Sequence, residues 1–126
     1  MGSAQKARPA PAGQVNSFLP ASILGRLRGE LGLGLRDLAR LTGFSEKSLS
    51  QWEAGKEAGE AAQRTLRSLA EFIDALSRVM KPEPIASWLD QPNPAFDGLK
   101  PIQLIEAGRM KPLWWMIHDL EQGDVT

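Results

Sequence analysis

The sequence contains no cysteine, no tyrosine and a single histidine. Without cysteine there can be no disulfide framework, thiolate zinc site or cysteine nucleophile. One histidine gives little basis for a protein metal centre, so neither a metal nor a cofactor is expected. Long apolar runs are missing as well. Proline, glycine and charge interrupt the chain well before the ~18 apolar residues that a membrane span needs. The first residues lack the apolar core of an export signal, so a cytoplasmic protein that does not enter the membrane is expected. No glycine-rich phosphate loop is present, and little catalytic apparatus remains, so the chain is not expected to be an enzyme.

What is present suits one small domain, or two very small ones sharing a core: 126 residues, 42% hydrophobic and 24% charged. Fifteen basic residues balance fifteen acidic ones, and neutrality at first sight argues against nucleic-acid binding. The balance is uneven along the chain. Residues 1–56 carry eight basic and four acidic side chains, net +4, and residues 57–126 carry seven and eleven, net −4. A basic first half and an acidic second half suggest two surfaces with different partners.

Residues 1–17, rich in Ala, Pro, Gly and Gln, read as a disordered arm, although Lys6 and Arg8 are of the type that touches phosphates. Helical spacing begins at Pro20, with Ile23, Leu24, Leu27 and Leu31 recurring up to a stop at Gly32. A short helix from about Leu35 to Thr42 precedes a turn at Gly43 and Phe44, and Ser45 then caps a third helix that ends at Gly55. A long amphipathic helix covers roughly Gln63 to Met80, with Leu66, Leu69, Ala70, Ile73, Leu76 and Met80 on one stripe; that stripe is either core or a dimer face. Short helices follow Pro84 and Pro101, and a last one runs from about Pro112 to Gln122. No stretch alternates with period two, so the expected class is all-α. The expected domains are a helix-turn-helix bundle at 18–60 and a small helical domain at 61–126.

Two short helices joined by a glycine-containing turn form the plan of the DNA-reading helix-turn-helix. Ala39 supplies a small residue at the helix crossing, Gly43 tolerates positive φ, and Leu38, Leu49 and Trp52 anchor the second helix on the first. The run LGLGLRDLARLTGFSEKSLSQWEAGK resembles the Xre and phage-repressor family, whose Glu-x-Gly element matches Glu53-Ala54-Gly55. The resemblance implies a structural pair between Arg28 and Glu53. In that geometry the outward residues of the recognition helix, Glu46, Lys47, Ser50 and Gln51, face the major groove, with Ser45 and Ser48 near the backbone. Lys47 can donate to guanine and Gln51 can pair with an adenine edge. Gly34 and Leu35 stand where the family usually has a polar phosphate contact, and Arg36 and Arg40 are the candidate replacements.

The stretch PEPIASWLDQPNPAFDGLKPIQLIEAGRM is similar to the toxin-binding domain of Xre/MbcA/ParS antitoxins, through Trp88-Leu89, Pro92-Asn93, Phe96-Asp97-Gly98, Pro101, Leu104-Ile105 and Gly108. The resemblance, over roughly residues 20–126, implies an antitoxin that represses its own operon by binding operator DNA. It also implies a cognate toxin as partner, commonly a RES-domain enzyme that consumes NAD. A homodimer and a larger toxin–antitoxin assembly are expected. The segment Glu121, Gln122, Gly123, Asp124, Val125 and Thr126 would be the tail that blocks the toxin's active site. Trp114 and Trp115 are the candidate toxin anchors. Adjacent helix residues point about 100° apart, so one ring is expected buried and the other partly exposed, the alternative being that both are covered. Trp52 and Trp88 are read as core, and His118 as a surface or core-edge residue. The competing reading is a free-standing Xre-type regulator whose second half only dimerises it.

Overall fold

The structure is a computed structural model and describes residues 19–123. The expected arm at 1–17 and the tail residues Asp124, Val125 and Thr126 lie outside the described residues. Helix α1 spans Pro20–Gly29 and buries Ile23, Leu24 and Leu27. Proline suits its first turn, where the missing N–H would have had no intrahelical partner. Helix α2 spans Leu35–Thr42 and ends on Gly43, whose φ of +81° is a left-handed conformation that a side chain would strain. Three residues later α3 begins, spanning Glu46–Glu53. Its cap is Ser45, whose hydroxyl accepts the Ser48 N–H at 3.0 Å and so satisfies one of the helix's free donors. Helix α1 packs on α3, and α2 packs on α3 as well.

Helix α4, Glu60–Ser77, is the central element, and it packs on both α1 and α2. It begins and ends three residues before the expected Gln63 and Met80. Its first turn, Glu60-Ala61-Ala62, is too small and polar to show a period, yet Ala62 is buried. Beyond Ser77, Arg78 and Val79 turn onto the carbonyls of Ala75 and Leu76. The buried arc adds Phe72 and Ala75 to the expected stripe, while Met80 is only partly covered.

The rest of the chain is short helices separated by tight turns: α5 at Ile85–Leu89, a 3₁₀ turn at Pro94–Phe96, α6 at Pro101–Glu106 and α7 at Lys111–Glu121. The Asn93 side chain accepts the Ala95 N–H at 2.9 Å, and Asp97 and Gly98 follow with φ of +57° and +82°, reversing the chain onto α6. One contiguous hydrophobic cluster runs from Leu24 and Leu49 through Leu66 and Ile73 to Ile102, Leu113 and Ile117. It crosses residue 60 without a break, and α2 packs directly on α6. The fold is all-α: no strand occurs among the described residues, and no helix there is long and apolar enough to cross a membrane.

Candidate functional site

The outward face of α3 follows from which residues the core takes. Leu49 is fully buried and Trp52 half-buried, its ring meeting Phe44 edge-on at 5.1 Å between centroids. Ser45, Glu46, Lys47 and Ser50 are exposed, and Ser48 and Gln51 are half-buried beside them. The six expected contact residues therefore share one short helix and its cap. Arg28 Nη1 donates to Glu53 Oε1 at 2.7 Å, tying the last turn of α1 to the last turn of α3. Arg36, at the start of α2, is exposed, and neither it nor Lys47 makes an ion pair among the described residues.

Arg40 is placed differently. Its guanidinium meets Glu106 on α6 through two hydrogen bonds, Nε to Oε2 at 2.8 Å and Nη2 to Oε1 at 3.1 Å. Asp90 lies 3.6 Å from the same group and 3.3 Å from Lys100 Nζ. The hydrogen bond from Arg40 is the main reason the Glu106 carboxyl is held below the ordinary glutamate range, and Glu106 in turn raises Arg40. Of the two arginines expected at phosphates, one has no ion-pair partner among the described residues and the other is engaged by two carboxylates of the second half. Sequence spacing could not reveal this pairing, because the partners lie 66 residues apart.

On α7 the inward positions are taken by Leu113 and Ile117. The expectation that one of the adjacent indoles is buried is corrected here: Trp114 is 40% exposed and Trp115 61% exposed. The two inward branched residues leave room for neither ring. Trp114 lies edge-on to Phe72 of α4, with centroids 5.6 Å apart. Trp115 borders a groove of about 440 Å³ with Ala95, Phe96, Pro112, Met116, Asp119 and Leu120. Trp52 and Trp88 are also corrected, from core to half-buried residues at its edge; Trp88 rests against Phe96. His118 is exposed. Glu121 Oε2 accepts from Arg78 Nε at 2.7 Å, fixing the last turn of α7 to the end of α4, and Gln122 and Gly123 follow it exposed. No cluster of three potential metal ligands occurs among the described residues.

No family model matches the chain. It is 24% identical over 108 residues to the mycobacterial cidal antitoxin MbcA of Mycobacterium tuberculosis (strain ATCC 25618 / H37Rv), a match covering 85% of this chain and 95% of the relative. The same figures hold for MbcA of Mycobacterium bovis (strain ATCC BAA-935 / AF2122/97). Among solved structures, a chain of the crystal structure of the M. tuberculosis MbcT-MbcA toxin-antitoxin complex matches with a TM-score of 0.69 at 24% identity, over 84% of this chain and 96% of that one. The all-helical fold is thus one that occurs in a toxin–antitoxin complex.

Proposed function

We propose that the chain is the antitoxin of a toxin–antitoxin pair, binding and neutralising a cognate toxin and repressing its own operon. The observation that carries the reading is the extent of the likeness to MbcA, which runs through nearly the whole of both chains rather than through one motif. The toxin in this proposal is a RES-domain enzyme that consumes NAD, as the antitoxin resemblance of residues 82–110 implies. Its contacts are Trp114, Trp115 and the segment 121–126, where α7 ends beside Arg78. Acidic residues dominate the second half, which suits a basic nucleotide-binding cleft, because opposite charge speeds and orients association. The antitoxin itself supplies no chemistry in this scheme.

DNA binding belongs to α2 and α3 in the same proposal. The face made by Ser45, Glu46, Lys47, Ser48, Ser50 and Gln51 enters the major groove, with Lys47 and Gln51 reading base edges and Arg36 on phosphate. Arg28 and Glu53 hold α3 at its angle on α1. Growth rescue tests the neutralising half of the proposal: co-expression of this chain relieves the toxicity of the protein encoded beside it. A chain that binds operator DNA but never captures or silences that neighbour is instead a free-standing regulator.

A further inference from the structure

We propose that Thr42 is a positioning residue for DNA reading: its hydroxyl fixes the joint between α2 and α3 and so sets where Lys47 meets the major groove. This role rests on the DNA-binding reading above. Thr42 is the last residue of α2 and is half-buried. Its hydroxyl donates to the Leu38 carbonyl one turn back at 2.7 Å and accepts the Phe44 N–H at 3.1 Å. No backbone carbonyl among the described residues takes that N–H. One hydroxyl therefore holds the chain on both sides of Gly43, where the freedom of glycine would otherwise leave the turn loosest.

The hold passes into α3 through Phe44, whose ring meets Trp52 edge-on at 5.1 Å between centroids. The far end of α3 is pinned separately, by Glu53 to Arg28 at 2.7 Å. Freed at the turn but still pinned at Glu53, the helix would swing about its last turn. Lys47 lies six positions before Glu53, ~9 Å at about 1.5 Å per residue, so a swing of about 10° moves it by about 1.6 Å. The accepted lengths of a hydrogen bond span only about 0.5 Å, so that displacement breaks a base contact. Gln51 lies two positions before the pin, and the same swing moves it by only about 0.5 Å. The turn hydroxyl thus governs the base read by Lys47 and spares the one read by Gln51.

Gel shifts with the full-length chain test the role. The probes are the duplex upstream of its own coding sequence, single base-pair variants of that duplex, and a scrambled duplex of equal length. The base pairs at which Lys47→Ala and Gln51→Ala lose discrimination mark what each side chain reads. Thr42→Val keeps the shape and removes the hydroxyl; it binds the native duplex about 5- to 30-fold more weakly and no longer discriminates at the Lys47 base pair. It keeps its discrimination at the Gln51 base pair, its affinity for scrambled DNA and its circular-dichroism spectrum. Thr42→Ser retains the hydroxyl and binds like the unaltered chain. Phe44→Leu breaks the next link and shows the Thr42→Val pattern without touching the hydroxyl, which keeps the role testable should the valine variant fold poorly. Unchanged discrimination in Thr42→Val or Phe44→Leu would overturn the positioning role alone. So would equal weakening on native and scrambled duplexes, or a Thr42→Ser variant as impaired as Thr42→Val. An unaltered chain that does not prefer the native duplex to the scrambled one would remove the DNA-binding reading, and the positioning role with it.

Discussion

Replacing Arg40 by Ala separates a tether between the two halves of the chain from a contact with DNA. The guanidinium makes two hydrogen bonds to Glu106, at 2.8 and 3.1 Å, with Asp90 at 3.6 Å. Its side chain is 33% exposed and that of Glu106 37%, so water screens the pair. Exposed pairs contribute ~0.2–1 kcal/mol, and bidentate geometry with a second carboxylate nearby puts this one toward the upper end. For a chain of this length, ~1 kcal/mol corresponds to a fall of about 3–5 °C in the melting temperature. Thermal unfolding of Arg40→Ala, Glu106→Ala and the double variant gives the coupling directly: each single lowers the midpoint, and the double adds little to either. Operator titrations across salt concentration supply the contrast. Arg36→Ala lowers the salt slope by about 1, as loss of a phosphate contact does, whereas Arg40→Ala leaves the slope unchanged. A slope lowered by Arg40→Ala, with Glu106→Ala melting like the unaltered chain, would refute the tether.

Further outcomes follow from the same contacts. Lys47→Ala and Gln51→Ala each weaken operator binding by about 5- to 150-fold, the range of a lost base contact of ~1–3 kcal/mol, while toxin capture in a pull-down is unaffected. Because the Glu106 carboxyl is held below its ordinary value of 4.5 in the folded chain, its stabilising contribution is present above that value and is lost as pH falls through the folded one. The melting difference between the unaltered chain and Glu106→Gln is therefore greatest near neutral pH and shrinks in acid; a difference that persists in acid would assign the stabilisation elsewhere. Deleting residues 121–126 impairs toxin neutralisation in a growth assay while operator affinity by gel shift stays the same, and full neutralisation by the shortened chain would remove the tail from the mechanism.

The parts of the fold legible in the sequence are those decided within a few residues. Ser45 reads as a cap because its hydroxyl reaches an N–H three positions on, and Gly43 reads as a turn because the backbone there needs positive φ. The start of α4 was hidden because Gly59 caps it without a side-chain hydrogen bond and its first turn holds only Glu and Ala. Phe72 escaped the stripe argument because α4 is covered on more than one side, with Trp114 of α7 resting on it. Adjacent indoles on a helix do diverge, but divergence does not bury either ring when the inward positions belong to Leu113 and Ile117. The outward face of α3 is a local matter and could be read in advance, whereas the partners of Arg40 and Arg78 are set by tertiary packing across 66 and 43 positions.

The antitoxin reading is tested most directly by expressing the protein encoded beside this chain, with and without the chain, and following growth and recovery of a complex. The account predicts arrest with the neighbour alone, growth when both are made, and a stable complex that purifies by a tag on either protein. Arrest that persists in the presence of well-folded chain, with no complex recovered, would contradict it.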